Sequence, residues 1–171
     1  MKHRIQPIAY FTLAFTLGSI GYLSLAAVLR PWPVFAGPFR MFMYHEHHPY
    51  QYIALVSAVY AILATTWALT IGWRQTGVLR WLAIAAIIPL TIVIASFPGG
   101  MLWSWHDMQA GFVPVYWRRK LAEEGLMGLQ IGWFVICLSF PYNVAGIVAG
   151  LFVTDKIEKK LRRTTGGTVR R

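Results

Sequence analysis

A chain of 171 residues that is 57% hydrophobic and 13% charged, with a mean hydropathy of +0.51, is too apolar for an ordinary soluble domain, in which about a quarter of residues carry charge. The length leaves room for one domain made of a handful of spans of roughly 20 residues, and the composition reads as an all-α, polytopic integral membrane protein. The net charge of +10 does not point to nucleic acid, because a basic segment beside a membrane is drawn to anionic lipid by about 1 kcal/mol per Lys or Arg without any further ligand.

Residues 1–4 are short and basic, and Ile5 to Leu29 follow without a charged side chain, which predicts a first spanning helix. A cleaved signal peptide is excluded on length, since its apolar core is roughly 7 to 15 residues. Gly18, Ser19, Gly21 and Ser24 put small residues where a neighbouring helix can approach closely. Pro31 and Pro33 end the span, because neither can continue the hydrogen-bond ladder. The loop to residue 50 then carries Trp32, Phe35, Phe39, Phe42, Tyr44 and Tyr50, an aromatic girdle suited to the headgroup level.

A second span is expected over 51–73, with Thr65, Thr66 and Thr70 bonding back to the helix's own carbonyls. Arg74 to Arg80 make a basic turn, and a third span covers 81–97 with Pro89 at a kink. As the least polar helix, this third span is expected to face lipid. Pro98-Gly99-Gly100 opens a second long connection reaching to about 125, with Trp103, Trp105, Tyr116 and Trp117 as interfacial anchors and a short amphipathic helix at its end. The fourth span, 126–153, is the most decorated. It carries Gln130, Ser139, Pro141 and Asn143 and two glycine pairs, Gly128 with Gly132 and Gly146 with Gly150, at the spacing that allows close helix contact. Residues 1–154 thus form a four-helix transmembrane domain, an antiparallel bundle, and 155–171 a basic tail expected to fray.

Orientation follows from counting Lys and Arg beside the spans. Both termini and the 74–80 turn hold eleven of the sixteen, namely Lys2, Arg4, Arg74, Arg80 and seven beyond residue 155. Arg30, Arg40, Arg118, Arg119 and Lys120 lie on the other side. The termini are therefore expected in the cytoplasm of a cell-membrane protein.

The outer loops carry the candidate chemistry. His45, His47, His48 and His106 all fall on that side, and in an extended backbone Met41, Met43, His45 and His47 share one face. Two thioethers and two imidazoles are soft to borderline ligands that suit copper or zinc. His45-Glu46-His47-His48 is not the zinc-protease helix, since that motif needs a second histidine where Pro49 stands. Against a metal stands the reading of these side chains as interfacial, apolar in body and polar at the tip. The single Cys137 excludes an intrachain disulfide and a thiol pair. No nucleophile elbow or phosphate loop occurs, and no charged residue or histidine lies inside the four spans. Glu123 and Glu124, at the mouth of the fourth span, suit a helix N-terminus better than a catalytic pair.

Three functions follow. The first is a non-enzymatic accessory, scaffold or assembly protein, whose fourth helix docks on a membrane-protein partner or on a second copy. The second is a protein of the extracytoplasmic face that handles copper or zinc, or a metal-dependent enzyme, using the 41–48 loop with His106. The third, a lipid-modifying enzyme with the histidines and Glu46 as acid and base, needs a cleft that no sequence pattern indicates.

Overall fold

The computed structural model describes residues 2–29, 48–72, 77–112, 117–138 and 142–166. These form five helices: α1 Lys2–Leu29, α2 Pro49–Trp67, α3 Gly77–Gln109, α4 Trp117–Leu138 and α5 Tyr142–Gly166. Three of them, at Pro7–Ser24, Pro49–Thr70 and Gly77–Gln109, are long and apolar enough to cross a membrane. The described residues are therefore all-helical, with three membrane-spanning candidates where the uncharged runs predict four spans.

Local chemistry explains the boundaries. Pro49 occupies the first turn of α2, where its missing N–H costs nothing. The end of α2 passes into a π-helical turn, Ala68–Gly72, and within it the Thr70 hydroxyl donates to the Thr66 carbonyl at 2.6 Å. Of the three threonines expected to bond backwards, Thr70 does so, while the Thr65 hydroxyl is buried with no partner among the described residues. Gly77 starts α3 with φ of +62°, a left-handed conformation that glycine adopts without a Cβ clash.

Two sequence expectations change in α3. The helix does not stop at Phe97 but runs through Pro98, Gly99 and Gly100 to Gln109. A proline–glycine run breaks helices in water, but in apolar surroundings neighbouring helices and side chains make up for the lost bonds. Nor is α3 peripheral. It packs against α2, α4 and α5, and its buried residues include Ala95, Ser96, Gly99 and Gly100, whose small size lets helices close in on several sides.

The fourth stretch also differs. It is two helices, and its first, α4, begins at Trp117 and includes Glu123 and Glu124 instead of starting after them. The second, α5, continues through the segment expected to fray, as far as Gly166. Asp155 and Glu158 are buried there.

The core lies toward the Arg80 end of α3. Tyr10 of α1 is fully buried and meets the Tyr60 ring of α2 edge to face, at 6.1 Å and 81°. Around them pack Ala61, Ala64, Trp67, Ile84 and Ile87, with Leu151 and Ile157 of α5. Thr154, also fully buried, shares a hydrogen bond of 2.6 Å with the Tyr60 hydroxyl. Because lipid tails are as apolar as leucine, such contacts work by close packing and interhelical hydrogen bonds, with little hydrophobic drive.

Candidate functional site

Polar chemistry gathers at the two ends of α3. From Arg80 to His106 the helix rises about 39 Å, somewhat more than a hydrocarbon core of about 30 Å, which puts one polar cluster at each margin of an apolar layer.

At the far end, His106 is buried on α3 and its ring lies flat against that of His48, with centroids 4.1 Å apart and planes inclined by 10°. His48 precedes Pro49 at the start of α2 and makes no side-chain cap to that helix, which leaves its ring to stack. Gln51, one turn into α2, accepts a hydrogen bond of 2.8 Å at Oε1 from Nε2 of His106. Tyr52 lies beside the same ring at 6.3 Å, and Tyr22 of α1 meets Tyr50 edge to face nearby in sequence. Three helices thus converge on aromatic contacts at this end.

Of the proposed metal ligands, the structure brings His48 and His106 together. His45, His47, Met41 and Met43 lie outside the described residues. Stacked rings direct their in-plane lone pairs side by side, so the two imidazoles do not converge on one point in this arrangement. Among the described residues no group of three or more His, Cys, Asp or Glu is placed to hold a metal ion.

The other end is ionic. Arg80 donates from Nε and Nη2 to Oε2 of Glu158, at 3.0 and 2.6 Å, and from Nη2 to Oδ1 of Asp155 at 2.7 Å. Lys159, one turn beyond Asp155, holds the second oxygen of that carboxylate at 2.7 Å. Burial works against ionisation of Asp155, but the hydrogen bonds from Lys159 and Arg80 and the two positive charges outweigh it, so its carboxyl sits below the ordinary carboxylate range. Arg80 and Lys159 thus set two positive charges against the two carboxylates of Asp155 and Glu158. That suits a structural tie between α3 and α5 more than a substrate site. Sequence reasoning placed all four residues on one side of the membrane but expected the segment that holds Asp155, Glu158 and Lys159 to fray. Nothing local in the sequence announces Arg80 as partner.

Gly128 and Gly150 both lie against other helices of the same chain. A Cβ on Gly128 would stand 2.3 Å from the Ser96 carbonyl oxygen, and one on Gly100 the same distance from the Glu124 carbonyl oxygen. The backbones of α3 and α4 therefore touch, with Gly100 level with Glu124 and Ser96 level with Gly128. Gly150 of α5 faces Ile88, whose side chain a Cβ there would strike. The surroundings of Gly132 and Gly146, and the side chain of Asn143, lie outside what is described.

No protein-family model, characterised protein or solved structure matches this chain.

Proposed function

We propose that this chain is a non-enzymatic accessory or scaffold protein of the cell membrane, working through helix-to-helix contacts of its fourth crossing. In this reading α1, α2 and α3 each cross once, and α4 with α5 make one further crossing. The result is an antiparallel bundle with both termini in the cytoplasm. The distribution of Lys and Arg supports that orientation, as does the Arg80 tie to Asp155 and Glu158, which keeps the start of α3 and the tail side by side.

The observation that carries the functional reading is the outer face of α4. Gly125 and Gly128 are spent on α3, while Leu126, Met127 and Ile131 are 42 to 55% exposed and Gln130 stands exposed among them. An apolar face interrupted by one amide is the kind of surface that recognises another helix. The test is gentle solubilisation of the tagged full chain from its own membranes, followed by size and mass analysis. A scaffold runs as a species larger than the 19.4 kDa chain, shifted to the monomer by M127A with Q130L and left alone by replacing His45, His47 and His48 with Ala. A monomer carrying stoichiometric metal overturns this reading.

A second reading, copper or zinc handling at the extracytoplasmic face, rests on the histidines and methionines of the 41–48 stretch together with His106. Elemental analysis of untagged protein beside the triple histidine variant tests it. About one metal per chain, lost in the variant while the fold persists, supports it, and no metal in either protein after incubation with copper or zinc removes it.

A further inference from the structure

We propose that the outer face of α4 pairs with the same face of a second copy of this chain, the two helices running parallel and the Gln130 carboxamides of the two copies hydrogen-bonded to each other. This deepens the scaffold reading and rests on it.

Depth is the first reason. The contacts of Gly100 with Glu124 and of Gly128 with Ser96 fix the register of α4 on α3, and carry Gln130 to the level of Ile94. That level is about 21 Å along α3 from Arg80 and about 18 Å from His106, midway between the two polar clusters. Gln130 is exposed there, on the side of α4 away from α3, and has no hydrogen-bond partner among the described residues. An amide facing hydrocarbon without a partner is disfavoured, because lipid tails offer neither donor nor acceptor.

Complementarity names the occupant. A carboxamide holds a donor group and an acceptor group, so two related by a two-fold axis exchange two hydrogen bonds. On the same stripe of α4, at spacings of three and four, lie Lys120, Glu123 and Met127, all exposed. Two copies inserted in a membrane in one sense present α4 in parallel. Lys120 of each then stands beside Glu123 of the other, near the His106 end of α3, where charge is outside the apolar layer. Opposite charges, a self-complementary amide and an apolar residue between them all satisfy one isologous contact.

The test is oxidative cross-linking of the full chain in liposomes of phosphatidylcholine and phosphatidylglycerol, in a C137A background. M127C lies on the stripe and L129C lies off it at similar depth. Pairing predicts that M127C forms the disulfide dimer at least about fivefold faster than L129C, that adding Q130L slows it at least about fivefold, and that Q130N restores most of the rate. Helical content of Q130L by circular dichroism stays that of the parent, since the side chain is exposed. Equal rates for the two cysteine positions, or a rate unmoved by Q130L, overturn the pairing. Repeating the oxidation of M127C in native membranes separates the two levels of the proposal. An adduct with a different protein in place of the dimer overturns the second copy and leaves the scaffold reading standing, while neither dimer nor adduct in either setting overturns both.

Discussion

The two ends of α3 are fastened by different chemistry. At Arg80 three ionic side chains and a lysine form a closed cluster between α3 and α5, backed by the Tyr10, Tyr60 and Thr154 core. At the His106 end the joints are of another kind. A stacked imidazole and one amide hydrogen bond join α3 to α2, and below them the α3–α4 backbones touch through glycine. Charge fixes one end and shape fixes the other. The Arg80 end is held by charges drawn together between α3 and α5, whereas at the His106 end ring stacking and close backbone approach do the joining.

That contrast makes Arg80 the most sensitive single position. Arg80→Met takes the guanidinium away from the Asp155 and Glu158 carboxylates, whose side chains are 9% and 5% exposed, and breaking a buried pair from one side costs about 3 kcal/mol or more. A large loss of thermal stability in detergent is expected, with α5 the first segment to become protease-sensitive; an unchanged melting temperature would show that the tie is not buried as described. Gly128→Ala is expected to cost about 1 to 3 kcal/mol, since its Cβ meets a backbone carbonyl that has no rotamer to escape into. Gly21→Ala, where nothing lies within 4 Å, is the matched control and is expected within about 0.5 kcal/mol of the parent. Equal effects at the two glycines would erase the shape argument. Tyr60→Phe removes the partner of the buried Thr154 hydroxyl and is expected to cost about 1 to 2 kcal/mol, read by the same melts.

The smallest expected effect is the pH response, and it sharpens the comparison most. The Asp155 carboxyl is lowered in the folded chain, so its contribution is fully present above the unfolded carboxylate value near 4 and is lost as pH falls through the lower folded value. Melts taken from pH 7 down to pH 3 should show the Arg80 end loosening at the acid extreme. Asp155→Asn should lower stability at pH 7 and flatten that acid decline; a variant as steep as the parent would assign the decline to other groups.

The uncharged runs made the helices legible, and charge asymmetry made the grouping of Arg80 with the tail legible as a side of the membrane. The extension of α3 through Pro98-Gly99-Gly100 was not, because the same residues signal a loop in water and close contact in an apolar bundle. Gly100 serves the second role here, against the Glu124 carbonyl. Asp155 and Glu158 looked like part of a solvated tail since their partner Arg80 stands some 75 residues earlier in the chain, beyond the reach of any local pattern. His48 and His106 were readable as neighbours on one face, but their stacking depends on how α2 begins, and Gln51 carried no mark that it would hold the ring.

The most direct test is the side of the membrane on which α5 ends. Reporter fusions after Gly111 and after Arg171, each with a protein fluorescent only in the cytoplasm and an enzyme active only outside it, decide between three crossings and four. Four crossings predict an external reporter at 111 and a cytoplasmic one at 171. An external reporter at both positions would mean that α4 and α5 do not cross, and would contradict the bundle on which the scaffold reading stands.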